Sequence, residues 1–259
     1  MAMRDRGLDQ AIRAAGGVGA LSRSIGISQP SLSNWSRVPA ERVLLVESVT
    51  GIDRALLRPD LYAAPDAGTV DEIDAARARE YAMLSVLLRR VPDAGLLARL
   101  AKLRADPSPL GAAHAALGEA AAAADVAKIE REFFALFIGI GRGELVPYGS
   151  YYLTGFLNER PLARLRDDLA RLGVERAAGE AEPEDHAAVL CEIMSGLVDG
   201  RFEAPVGSDR ELFDKHLSPW IGRFFADLEH AKGANFYHRI GAVGRLFIEI
   251  ESKAFALVS

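Results

Sequence analysis

The chain has one cysteine, Cys191, among 259 residues. One thiol cannot form an internal disulfide, and it cannot build a multi-thiolate zinc site within one chain. No uncharged apolar run reaches membrane-spanning length, so no membrane insertion is expected. The opening "MAMRDRGLDQ" lacks the apolar core of a signal peptide, and the expectation is a soluble cytoplasmic protein. Strand-like alternation is rare. Catalytic signatures are missing too. There is no Gly-x-Ser-x-Gly, no His-Glu-x-x-His and no clear nucleophile–base pair. No catalytic residue is expected, and Ser195 in "IMSGL" reads as a helix residue.

What remains is rich in helix formers. Ala, Leu, Arg and Glu dominate, and 49% of the residues are hydrophobic, enough for a sizeable core. The expected fold class is all-α. Charge is uneven. Residues 1–62 hold eight of the 31 basic residues, all arginine, and six of the 36 acidic ones, a balance of +2. The remainder has 23 basic and 30 acidic residues, a balance of −7. Between them "RPDLYAAPDAGTVDE" carries Pro, Gly and small residues. The expected organisation is a head at 1–62, a linker at 63–70 and an acidic body at 71–259.

The head reads as four short helices. Gly16 and Gly17 end the first. The second runs near Val18–Ser24 and stops at Gly26. Ser28 can cap a third, with Gln29 and Pro30 in its first turn, and Pro39 opens a fourth. Leu32 and Trp35 share the buried face of the third helix, leaving Gln29, Ser33, Asn34 and Arg37 outward. A short helix, a glycine turn and an amide-rich helix make a helix-turn-helix. Amides suit adenine edges, and Arg suits guanine or phosphate. The segment "GGVGALSRSIGISQPSLSNWSRVPAERV", with the trailing "LLRPDLY", resembles the Cro/YdaS-like helix-turn-helix regulators. That resemblance implies promoter DNA as a partner of the head. A packing or dimerisation module is the alternative.

In the body, "EIDAARAREYAMLSVLLRRV" puts Ile73, Tyr81, Leu84, Leu87 and Leu88 at mostly helical spacing. Its Arg89–Arg90 pair reads as a solvated helix surface. The glycine segment "GIGRGELVPYGSYY" follows a helix and contains no Gly-Lys-Ser/Thr, so it reads as a loop ending at Pro147 rather than a phosphate cradle. The last helix carries Phe236, Ile240, Val243, Phe247, Ile250 and Leu257 as a core stripe.

The stretch "EPEDHAAVLCEIM" puts Glu182, Glu184, Asp185 and His186 ahead of an apolar run. Pro183 suits the first position of a helix, and acidic groups suit its positive end. His186 then falls on the apolar face of Val189, Leu190, Ile193, Met194 and Leu197, where an imidazole needs a hydrogen-bond partner or an open cleft. A satisfied core histidine and a recognition site both meet that need. A metal site is not expected, because Asp185 and His186 diverge on a helix and no second His lies four residues on. In "FDKHLSPWIGRFF", Ser218 caps and Pro219 opens a helix, which places Trp220 at a junction near His216.

Three motifs in order, "PYGSYY", "EPEDH" and "FDKHLSPWIGRFFADLEHAKGANFYHRIGAV", resemble the TorD family of molybdoenzyme maturation chaperones. The resemblance implies a non-catalytic, all-helical chaperone. Its partners would be the apo catalytic subunit of a molybdenum or tungsten oxidoreductase and that subunit's twin-arginine signal peptide. The client, a formate dehydrogenase by family habit, would carry molybdopterin guanine dinucleotide. The chaperone would hold no cofactor tightly beyond weak guanine nucleotide binding, for which no motif calls. Monomer and segment-exchanged homodimer are both compatible. The signal-binding residues carried over are Pro147, Tyr148, Ser150, Tyr152, Glu182, Pro183, Asp185, His186, His216, Pro219 and Trp220. The helix-turn-helix departs from the chaperone pattern, and a regulator that senses apo-enzyme or signal peptide is the competing reading.

Overall fold

A computed structural model describes residues 5–52, 54–62, 67–175 and 182–257. Every regular element among them is helical, and one isolated antiparallel bridge, Tyr148 with His186, is present. The chain divides into two compact units, Met1–Ile73 and Asp74–Ser259.

The first unit contains α1 (Arg6–Ala14), α2 (Val18–Ser24), α3 (Gln29–Ser33), α4 (Val43–Thr50) and α5 (Arg54–Leu57). Asp5 caps α1 by accepting the Leu8 amide at 2.9 Å, and Ser28 caps α3 by accepting from Ser31. Gly16, Gly17 and Gly26 all take positive φ at the turns, where side chains are strained. Leu8, Leu21, Leu32, Val43, Val46 and Leu57 form its core. The third helix is shorter than the sequence implied. Asn34 is its C-cap, and Trp35, half-buried, and Arg37 lie beyond it. Pro39 leads into a 3₁₀ turn at Ala40–Arg42 rather than directly into α4. The short α5 went unread because a single turn has no periodicity. Arg58, just after it, is buried and donates to Val38 O at 2.7 Å and to Asp60. That pairing holds the Asp60 carboxyl down at about 2.

The second long stretch begins with α6 (Ala67–Arg89). It takes up residues 67–70 of the expected linker, whose 63–66 portion lies outside the described residues. The spacers Ala67 and Gly68 do not break a helix that Thr69 onward sustains. Then come α7 (Ala94–Leu100), α8 (Pro109–Ala122), α9 (Val126–Phe133), α10 (Gly149–Thr154), α11 (Arg160–Arg171), α12 (Ala187–Val198), α13 (Ser208–Leu212), α14 (Ile221–His230) and α15 (Phe236–Leu257). Both α9 and α13 run into a π turn, at Phe134–Ile138 and Phe213–Leu217.

α12 is buried nearly all round, not on one stripe. Ala187, Ala188, Leu190, Cys191 and Met194 have no exposed surface. Glu192 points outward and pairs with Arg89, so Arg89 is an ion-pair partner rather than a solvated surface residue. α14 and α15 pack very closely. A Cβ on Gly241 would stand 2.4 Å from Glu229 N, and one on Gly244 2.2 Å from the Phe225 ring. On α15 the buried stripe is Phe236, Ile240, Val243, Phe247 and Glu251. Ile250 and Leu257, expected in the core, face solvent. Glu251 is tolerated inside because Arg77 donates to both of its oxygens, at 2.8 and 2.9 Å, and Tyr81 adds a bond at 3.0 Å. Ile73 is exposed as well.

Candidate functional site

Two of the motifs are joined by backbone. Gly149 N donates to Asp185 O at 2.9 Å, and Ala187 N donates to Pro147 O at 2.8 Å. Pro147 can serve as an acceptor here, and its missing N–H is not needed. "EPEDH" is therefore not the start of a helix. His186 N donates to Pro183 O, which closes a turn, and α12 begins only at Ala187. The proline rule fails because the Asp185 and His186 backbones are committed to the strand-like bridge with residues 147–149.

This changes the role of His186. It is the N-cap of α12, and its Nδ1 accepts the Ala188 amide at 3.0 Å. Its ring stands edge-on to Tyr148 at 4.9 Å. The imidazole is thus buried, bonded and fixed. Tyr148 donates its hydroxyl to Glu182, and burial with that carboxylate raises the phenol well above its usual range.

Asp185 is 3% exposed. Its Oδ2 accepts the Ser150 amide at 2.7 Å, which ties it to the first turn of α10. Its Oδ1 is buried and has no hydrogen-bond partner among the described residues, and the same holds for Ser150 Oγ. Buried carboxylate oxygens are rarely left so, because the desolvation cost is of order several kcal/mol.

Asp185 borders a cavity of about 410 Å³. Gly149, Leu165, Asp168, His216 and Trp220 share its walls. Gly149 lies close beneath Trp220, since a Cβ there would stand 3.0 Å from Trp220 Nε1 and the indole would have to give by a few tenths of an ångström. Trp220 is buried, donates to His216 O at 2.7 Å and lies 5.5 Å from the Tyr152 ring. It arrives by way of the π turn after α13. Ser218 and Pro219 are exposed turn residues, and α14 opens at Ile221, not at Pro219 as the proline had implied. His216 Nε2 lies 2.6 Å from Asp168 Oδ2. Burial, with Lys215 beside it, pushes the imidazole down to about 4. Glu211 opposes that shift, and Asp168 is itself paired with Arg171 and Lys215.

The expected residues therefore separate. Asp185, His216 and Trp220 meet at this cavity. Pro147, Tyr148, Ser150, Pro183 and His186 build its frame. Glu182 lines a neighbouring cavity of about 610 Å³ with Glu184, Arg166 and Arg89. Tyr152 donates to Asp227 at 2.9 Å and lines a third cavity. Pro219 lines none of the three. Sequence reasoning missed Gly149, Leu153, Asp167, Asp168 and Lys215, all of which border the 410 Å³ cavity. Only Gly149 carried a signal, as the small residue inside "PYGSYY". No cluster of three or more metal-ligating side chains occurs among the described residues, and no helix there is long and apolar enough to cross a membrane. In the head, Gln29, Ser33, Asn34 and Arg37 are exposed, and Arg37 pairs with Asp60 at 3.4 Å.

The geometry is that of an all-helical body with a cavity lined by both carboxylates and cations. Comparison with known proteins gives it a family likeness. Residues 103–226 match the family model of the nitrate reductase delta subunit, and residues 8–66 match that of the bacterial toxin YdaS. The chain is similar to the chaperone protein TorD of Aliivibrio fischeri, 24% identical over 139 residues, and to that of Vibrio cholerae, 23% identical over 131 residues. These alignments cover 50% and 47% of this chain, and 65% and 60% of the relatives. The chain thus spans somewhat under two thirds of their length. A crystal structure of a protein assigned to redox enzyme maturation in Archaeoglobus fulgidus aligns with a TM-score of 0.47 at 22% identity, over 66% of this chain and 93% of that one. The body is TorD-like and the head YdaS-like, as their motifs implied.

Proposed function

We propose that the body is a maturation chaperone for a molybdenum or tungsten oxidoreductase. It binds the cofactor-free catalytic subunit, through that subunit's twin-arginine signal peptide, before cofactor insertion and export. The observation that carries this reading is Asp185 in the wall of a cavity of about 410 Å³, with its buried Oδ1 lacking a hydrogen-bond partner among the described residues. A buried carboxylate oxygen with no donor is satisfied by a ligand that brings one, and a guanidinium brings several in a planar fork. The likeness to the TorD chaperones supports the same reading. The Ser150 amide holds Asp185 in place and need not touch the peptide.

Affinity capture of the tagged chain from its own cells, followed by mass spectrometry, tests this. A molybdoenzyme catalytic subunit, with a formate dehydrogenase as the first candidate, is expected in the wild-type eluate and lost with Asp185→Ala. An eluate without any oxidoreductase, under conditions of client expression, would end the proposal.

A second reading concerns the head. Buried Leu32 leaves Gln29 and Ser33 exposed on α3, with Asn34 at its end. That is the arrangement a base-reading helix needs. Promoter DNA of the client operon is the proposed target. A mobility shift at low salt, weakened by Gln29→Ala and Asn34→Ala, is expected, and its absence would leave the head as a packing module.

A further inference from the structure

The cavity beside Asp185 carries charges of both signs. Asp167, Asp168 and Asp185 border it together with Arg164 and Lys215. Three carboxylates against two cations leave it a formal charge of −1, His216 aside. Several of these groups are answered within the protein. Asp168 is paired with Arg171, Lys215 and His216, and Lys215 also reaches Glu211. Three others are not. Asp185 Oδ1 is buried without a hydrogen-bond partner, and the side chains of Arg164 and Asp167 have neither a hydrogen bond nor an ion pair among the described residues.

A contrast within one helix shows why Arg164 is left over. Asp168 and Arg171 are three apart on α11 and pair. Arg164 and Asp167 are also three apart on α11 and do not. The order of charge differs. Acid precedes base in the pair that forms, which the helix dipole favours. Base precedes acid in the other, the weaker combination, and both side chains stand exposed at the cavity instead.

A ligand that answers all three groups brings a donor for Asp185 and an acceptor for Arg164. A small cation answers the carboxylates and leaves Arg164 beside a like charge. A small anion answers Arg164 and adds to the unsatisfied negative charge at Asp185. A peptide with two arginines and no acid brings two positive charges to a cavity of −1, and Arg164 repels the surplus. One acidic residue beside the arginines makes the ligand's charge equal and opposite to that of the cavity.

We infer that Arg164 is a specificity-determining residue of this cleft, and that it takes a carboxylate side chain lying within a few residues of the ligand's arginines. The preferred client segment is then amphoteric rather than uniformly basic. This rests on the reading of the Asp185 cleft as a peptide site.

Labelled peptides test it by fluorescence anisotropy with the full chain. Each carries an arginine pair, with glutamate scanned over the three positions on either side and glutamine at the same position as its control. Wild type should prefer glutamate at one or more positions by about threefold, as a solvent-exposed ion pair allows, and the preference should shrink with salt. Arg164→Gln should weaken the glutamate peptide and strengthen its glutamine control, which loses a like-charge neighbour. Arg164→Lys should keep part of the preference. A merely structural role would move both peptides the same way, so equal weakening of the two overturns the assignment. No glutamate preference at any position in wild type also overturns it and leaves the cleft reading standing. A preference that survives Arg164→Gln and disappears in Lys215→Gln gives the contact to Lys215 instead. Failure of wild type to bind any of the peptides removes the cleft reading, and the role of Arg164 with it.

Discussion

If Asp185 is kept for a ligand, replacing it should help the empty protein and harm the loaded one. Take Asp185→Asn. The side chain is 3% exposed, one oxygen accepts the Ser150 amide at 2.7 Å and the other has no partner among the described residues. Asparagine retains an acceptor for Ser150 N–H but makes the bond neutral, a loss of about 1 kcal/mol. It also removes a buried charge and its unsatisfied oxygen, a gain of about 1–3 kcal/mol. The net expectation is unchanged or slightly raised stability. Binding moves the other way. Losing the carboxylate from a desolvated pair with guanidinium costs about 2–5 kcal/mol, so Kd should rise at least tenfold. Asp185→Ala is the control. It strips the acceptor from a buried amide and should lower stability by about 1–3 kcal/mol while also abolishing binding. Urea unfolding monitored by circular dichroism gives the first quantity, and calorimetric titration with a twin-arginine peptide gives the second. Should Asp185→Asn lose more than about 2 kcal/mol of stability and keep full peptide affinity, Asp185 is a structural tie and the cleft has another purpose.

Other outcomes rest on packing and protonation. Gly241→Ala places a methyl 2.4 Å from Glu229 N, where neither backbone can yield, so a stability loss of about 2 kcal/mol or more is expected in urea; a loss under about 0.5 kcal/mol would contradict the close α14–α15 approach. Tyr81 and Tyr237 are held well above the usual phenol range, mainly by burial, with Glu251 and Glu132 respectively adding to the effect. Their protons are bound more tightly in the folded state, so stability should be constant below about pH 10 and fall as pH rises beyond it; a urea midpoint that does not drop between about pH 9 and about pH 11 would refute this. Burial pushes the Cys191 thiol up to about 12, so a colourimetric disulfide reagent at neutral pH should react only after urea is added. Prompt reaction in native buffer would show that α12 opens.

Much of the helical content was legible. Caps such as Ser28 and the glycines after α1 and α2 act within a few residues, and the sequence displays such neighbours. Long-range partners are not displayed. "EPEDH" looked like a helix start because proline and acids favour one. The competing demand came from Gly149 and Ser150, some 35 residues away, and it fixed the stretch as a bridge instead. Likewise Ile250 suited the apolar stripe of α15 by type, but the helix phase puts position 251 inside. A glutamate can occupy it only because Arg77 and Tyr81 on α6 reach it. The grouping of Asp185, His216 and Trp220 was expected from family likeness alone. Asp168 and Lys215 had no local signal, being ordinary charged positions on amphipathic helices.

The two π turns, closed by Gly139 N to Phe134 O and by Ser218 N to Phe213 O, have an evolutionary consequence. Each holds one residue more per turn than an α-helix would, as though a single codon had been inserted. Such an insertion rotates every downstream side chain by about 100° around the axis. At Phe213–Leu217 that rotation decides which side chain meets Asp168 and which way the chain leaves toward Trp220. The cleft is thus set by the length of a segment as well as by its residue types. A descendant that lost the extra residue could keep every histidine and tryptophan and still lose the site. When relatives are aligned across residues 213–220, a one-residue gap there would mark a difference in binding that identity scores do not register.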